Sequence, residues 1–439
     1  MCISTPNSGP FVVHSELISK GECKNNVFLA AAMERGIESL RTIKPDIQCE
    51  PVLGLSTDNE SAMTTAWDGI RSSYPGMITM PCDGHGSNLM YDDLMKLDWA
   101  ASLCASSSFL ASFARNNKAV EGFLQDWAKT NHGYAYRTTL SGGRQCHNYY
   151  NASRNLMFTS GWQALLLSPV WANLRDSESK EKAATILADK KFFPSLAALH
   201  AFVKPVKVMC KLHDNSAYTT SKAYDAMMTV ELHILGPVKN RSTAKSHGVP
   251  PAFFTAAKRI LKERWEWMQS DPHYSSYAVD PEFWAHNIFG LPKVMAALRR
   301  MAKLWLHTEA ELHECMASFG EYKNKPGLFS DLTTQQAAKT MTPITFWQQY
   351  GGSHPSLQRV AINLLSCNGS SMDVERLFSI WKQTWNKKTS QMSFDTASKL
   401  VAVQFNLTAI QKAKACLNRR TVAQGWMKAH LEGYVEDTM

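Results

Sequence analysis

The chain has 439 residues, 44% of them hydrophobic and 19% charged, which excludes wholesale disorder and a collagen-like repeat and leaves room for two or three domains. Forty-seven Lys and Arg against 38 Asp and Glu give +9, spread in short clusters such as Lys258-Arg259 and Arg419-Arg420, so a polyanionic partner is permitted but not demanded. Ten cysteines without a Cys-x-x-Cys pair argue against a disulfide framework or a four-cysteine zinc module, and no stretch approaches the ~18–20 apolar residues of a membrane span. No membrane partner is expected.

Residues 11–19 (FVVHSELIS) follow a Pro6-Asn7-Ser8-Gly9-Pro10 turn signal and read as the second strand of a hairpin. Residues 1–5 alone are available for its first strand, so the reading is either an N-terminal truncation or a short edge strand. Residues 25–40 carry apolar positions at helical spacing. Residues 52–57 (VLGLST) form an apolar strand, Asp58-Asn59-Glu60-Ser61 is a helix-start signal, and a helix over 62–70 follows. A short strand at 78–80 and a helix at 85–97 complete a βαβ pattern, which predicts a parallel strand pair.

From about residue 100 to 345 strand-like alternation nearly vanishes. Stretches 192–211, 224–235, 253–268 and 293–316 read as helices. Breaker-rich segments at 177–182, 236–251 and 320–332 read as loops, the second as a flexible linker. Further on, 355–366 places Leu357, Val360, Ala361, Leu364 and Leu365 on one face. Ser370 with Asp373 forms a capping pair for a helix whose apolar stripe is Val374, Leu377, Phe378 and Trp381, and a third helix spans 394–406.

Three constellations could carry chemistry. Asp58 stands where an apolar strand hands over to a helix, the place where ligands collect in open α/β sheets, although an Asp there also caps helices. Cys82-Asp83-Gly84-His85 pairs two potential zinc ligands, with Cys146-His147 as the complement; the plainer reading makes Cys82 a core residue and His85 a loop-fixing hydrogen bonder. Glu375 borders an apolar stripe in the first turn of its helix, where a carboxylate also suits the helix dipole.

Taken together these residues resemble a known family. The segment 55–95, with Thr57-Asp58-Asn59, then Cys82-x-x-His85 and Asn88-Leu89, is similar to the corresponding segment of hAT-superfamily transposases. So is 346–407, with Trp347-x-x-Tyr350-Gly351, Pro355-x-Leu357, Ala361, Ser370-Ser371-x-x-x-Glu375-Arg376-x-x-Ser379 and Phe405-Asn406-Leu407. Between them, Arg264-Trp265, Tyr277 and Asp280-Pro281-x-Phe283 resemble a recurring stretch of that family.

The resemblance implies an α/β fold: a ribonuclease-H-like mixed sheet interrupted by a large all-helical insertion, with a helical C-terminal dimerisation region. The implied domains are 1–112, an insertion over 113–340, the dimerisation region over 341–410 and a tail helix over 411–439. It implies ancestral cut-and-paste DNA transposition by two-metal phosphoryl transfer, with Mg²⁺ held by catalytic carboxylates. Asp58 and Glu375 match the second and third acids and would be the metal ligands; Cys82, His85 and Asn88 would shape the site wall. Trp347, Leu357, Ala361, Leu364, Phe378, Trp381 and Phe405 would serve dimerisation. Implied partners are a second copy or a related hAT protein, and DNA, in a nuclear setting. The family's first acid, in an Asp-Gly-Trp context ahead of the first turn, has no counterpart in these 439 residues, so the chain is expected not to cleave or join DNA. A non-enzymatic, dimerising regulator on DNA or chromatin is the alternative.

Overall fold

The computed structural model describes residues 2–5, 8–12, 25–43, 54–58, 60–133, 147–213, 219–235, 248–284, 291–386 and 391–417. They are predominantly helical and fall into two compact units. The first unit comprises residues 1–86, 211–227 and 268–439, and the second 87–210 and 228–267. These borders differ from the expected boundaries near 112, 340 and 410. Helices from 292 onward pack with the C-terminal helices rather than standing apart as insertion, and one helix, Phe394–Leu417, runs through the expected start of the tail.

All strands among the described residues belong to the first unit. β1 (Cys2–Thr5) pairs antiparallel with β2 (Ser8–Val12), so residues 2–5 do supply the first strand of the hairpin, with an irregularity between Ile3 and Thr5. β2 begins three residues earlier than expected, and the rest of the predicted 11–19 strand lies outside the described residues. β3 (Gly54–Thr57) and β4 (Ile78–Pro81) pair in parallel, joined by the helix Ser61–Ser73, as the βαβ pattern predicts. The described strands form two separate two-stranded sheets, so a mixed sheet is not shown among them. Each strand has four or five residues, and Ile78 and Met80 of β4 bury against helical side chains such as Val279, Leu298 and Leu364.

That helical core is built around aromatic groups whose polar atoms are satisfied. Trp347 Nε1 donates to Val279 O (2.7 Å) and Trp284 Nε1 to Tyr322 O (3.0 Å), while Trp284 and Tyr322 stack at 4.7 Å. Two helix boundaries depart from expectation for capping reasons. The 293–316 stretch is two helices, Pro292–Trp305 and Glu309–Asn324, because Thr308 caps the second in a capping box with Glu311. The expected loop at 177–182 is instead the start of the helix Glu178–Ala188, with Ser177 accepting from the Lys180 amide.

Among its described residues the second unit is entirely helical. The side-chain amide of Asn155 donates to Ser107 O (2.7 Å) and Oγ (2.9 Å) in its interior, and Arg264 pairs with Asp93 through Nε (2.8 Å) and a second guanidinium nitrogen. Most of the expected linker, residues 236–247, lies outside the described residues.

Candidate functional site

The link 367–371, between the helices Pro355–Ser366 and Met372–Thr384, is the point where distant parts of the first unit meet. Thr220 Oγ1 donates to Cys367 O (3.0 Å), the Asp83 amide to Gly369 O (2.8 Å), and Ser370 Oγ to His213 O (3.0 Å). Cys82 ties the knot. Its amide donates to Thr57 O at the end of β3 (2.8 Å), and its Sγ accepts from the amides of His85 (3.3 Å) and Ser371 (3.1 Å). One buried residue thus joins a strand end through its amide, and the start of the helix Asp83–Met95 and the start of Met372–Thr384 through its thiol.

The backbone comes close enough here to exclude side chains. A Cβ on Gly369 would run into Asp83 Oδ2, and one on Gly84 into the Met372 side chain. Each segment therefore presents a glycine to a larger residue of the other. Asp83 is fully buried, and His273 Nε2 lies 2.9 Å from its Oδ1. The Ser270 amide donates to His273 Nδ1 (3.1 Å), which leaves the ring proton on Nε2 and makes His273 the donor to the Asp83 carboxylate. His213, buried beside them, has its pKa pushed down to about 4 by burial, with His273 acting in the same direction and the Asp83 charge opposing. It is uncharged at neutral pH.

Asp58 directly follows Thr57 and is exposed; Glu375 lies in the first turn of Met372–Thr384 and is also exposed. The segments carrying the two acids, over 300 residues apart in sequence, meet at Cys82, while both carboxylates face solvent. Burial pushes the Cys82 thiol up, which makes it a packing and hydrogen-bonding group rather than a thiolate ligand. His85 is half-buried one turn on. Asn88, on the same helix, groups with the second unit, and its Oδ1 is buried without a hydrogen-bond partner among the described residues. Among the described residues no three His, Cys, Asp or Glu side chains converge as a metal-binding group. The candidate zinc complement Cys146-His147 lies outside the described side chains.

The sequence reading missed Asp83 and His273. Their only signal was a charged residue between Cys82 and Gly84 at a strand-to-helix handover. The capping reading also needs correction: Ser371 holds the N-cap position without a side-chain bond, Ser370 Oγ accepts from the Met372 amide (3.4 Å), and Asp373 pairs with Arg376 (2.9 Å). Asp280, from the middle motif, is a buried pin. It accepts from Ser221 Oγ (2.6 Å) and the Glu282 amide (3.0 Å), and burial raises its pKa.

The seven suggested dimerisation residues are largely covered by the chain itself. Trp347, Leu357, Ala361, Leu364 and Phe405 are buried in the chain's own core, because their stripes face the Trp284–Tyr322 cluster or the Leu377–Val401 contact. Trp381 is half-buried and stacks on Phe394 at 5.3 Å; Phe378 alone is well exposed, at 58%.

Comparison with known families then bears on this half of the molecule. Residues 321–407 match the hAT family C-terminal dimerisation region. The match covers about a fifth of the chain and contains the link 367–371 and the helix bearing Glu375. It supports self-association, and over that stretch the chain is similar to hAT-family proteins. A search of the curated proteins finds no match. No helix among the described residues is long and apolar enough to cross a membrane.

Proposed function

We propose that this chain derives from a hAT transposase and works as a dimer on DNA, its ancestral chemistry being two-metal phosphoryl transfer on a ribonuclease-H-like fold. The observation that supports this most is the Cys82 junction, where one residue bonds through its amide to the strand end preceding Asp58 and through its thiol to the start of the helix bearing Glu375. A βαβ unit with an acid just past its first strand suits such a fold, because charge beyond strand ends is where phosphate chemistry collects.

The residues at hand fit a resident metal pair poorly. A two-metal centre holds its ions about 3.5–4 Å apart with shared carboxylates, and Asp58 and Glu375 are two exposed acids where the resemblance calls for three. A Mg²⁺ on them would be held weakly. A protein of these 439 residues is therefore expected not to nick supercoiled plasmid in Mg²⁺ or Mn²⁺. Metal-dependent nicking that Glu375→Gln abolishes would overturn that expectation and restore the enzymatic reading.

The second reading, a dimerising regulator on DNA or chromatin in the nucleus, draws on the +9 charge and the dimerisation match. Phosphate contacts release counterions, so binding to duplex DNA should weaken steeply as salt rises. Salt-insensitive binding, or none at low salt, counts against both readings.

A further inference from the structure

The helix Phe394–Leu417, which also packs against β2, has two apolar faces, and among the described residues only one of them is buried. Ala397, Val401 and Phe405 pack inward, the last two against Leu377, Ile380 and Trp381. Roughly 140° round the helix lie Leu400, Val403, Leu407 and Ile410, at 47%, 56%, 53% and 40% exposed. Their spacing of three, four and three residues is that of a coiled-coil seam over two heptads. Exposed aliphatic groups standing singly need no explanation, but four in register on one helix mark a contact surface.

We propose that this stripe is a homotypic interface, closed by the same helix of a second copy of this chain. The proposal rests on reading residues 321–407 as a self-association region. Within that region five of the seven suggested dimerisation residues are already buried in the core, which leaves the stripe as the aliphatic surface in register. The seam's flanks suit a copy of itself: Gln404 and Gln411 border one side, Asn406 and Lys399 the other, and Lys399 is neutralised by Asp395 at 2.6 Å. A symmetric contact repeats each residue against its like, so a flank poor in net charge avoids repulsion.

The test is sedimentation of the full chain at micromolar concentration, with Val403→Glu/Leu407→Glu beside the wild type. The expected result is a wild-type dimer and a variant whose dissociation constant rises by about 100-fold or more, with its helical circular dichroism and melting temperature retained. Val403→Cys reads the same surface without adding charge, and mild oxidation should join two copies through the peptide containing position 403. A wild-type dimer that survives the double substitution, with no cross-link through position 403 in the Val403→Cys chain, overturns the stripe and leaves the dimerisation reading standing. A monomeric wild type overturns both. A monomer in which the thiol introduced by Val403→Cys resists alkylation would show that another segment of the same chain covers the stripe and likewise overturn the proposal.

Discussion

Two helices of the region matched to the hAT dimerisation family use apolar residues in opposite ways. Pro355–Ser366 has one stripe, and all of it (Leu357, Val360, Ala361, Leu364 and Leu365) is buried. Its first turn is also satisfied from outside, since Glu314 accepts from the Ser356 amide at 3.1 Å. Phe394–Leu417 has two stripes, one buried and one open, and its first turn is capped from within by Ser393, which accepts from the Thr396 amide at 3.2 Å. The first helix is a structural member of the core; the second carries surplus apolar surface. A family match to a dimerisation region therefore does not make each of its hydrophobic residues an interface residue.

The largest expected effect breaks this comparison most directly. Leu364→Ala, at a site 1% exposed amid packed side chains, should cost about 3 kcal/mol in urea unfolding, the transfer term plus the cavity left behind. Leu407→Ala, at 53% exposed, should cost under about 0.5 kcal/mol of chain stability while weakening self-association. Comparable losses of unfolding free energy, measured under monomeric conditions, would show that the second stripe is covered by the chain itself.

A pH series sharpens the contrast. His213, which lies under the link 367–371, has a folded pKa of about 4 against an ordinary 6.5. Between those values the unfolded chain binds the proton and the folded chain does not, so stability is complete above pH 6.5 and falls as pH drops toward 4. The loss amounts to about 3 kcal/mol over the whole window. His213→Asn should flatten this part of the curve and keep the Ser370 bond, which goes to the residue 213 carbonyl. Leu400, Val403, Leu407 and Ile410 have no titratable group. The dimer dissociation constant should stay level from about pH 8 to about pH 6 while the urea midpoint begins to move.

Local patterns were legible in the sequence, and tertiary coverage was not. The helix 355–366 was read with its true bounds because its apolar spacing is regular and Pro355 suits a first turn. The parallel pairing of β3 and β4 followed from strand–helix–strand order. The break in 293–316 was hidden because apolar periodicity resumes beyond Thr308, although Thr308 and Glu311 spelled out a capping box. Phe378 reads as core by spacing yet is exposed, since periodicity reports which residues share a face and not what covers it. The Asp83–His273 bond spans 190 positions, and nothing local to either residue points to the other. The reading at Cys82 was closer: its core role followed from a small thiol at a strand end, while its bond to the Ser371 amide needed the fold.

The smallest effect separates the two helices by how their first turns are held. Ser393→Ala removes the oxygen that accepts the Thr396 amide and should cost about 1 kcal/mol. That loss should be local, because the cap and the amide it satisfies belong to the same turn. Faster hydrogen exchange confined to residues 394–398 would report it. Glu314→Gln keeps an acceptor near Ser356 but removes a charge that also accepts from Ser318 Oγ at 3.0 Å, on its own helix Glu309–Asn324. Its effect should spread to both helices, because one carboxylate serves amide and hydroxyl donors from each. Equal spreading from Ser393→Ala would mean that the start of Phe394–Leu417 is bound into the core as tightly as Pro355–Ser366, and that the open stripe belongs to a helix without independent freedom at its first turn.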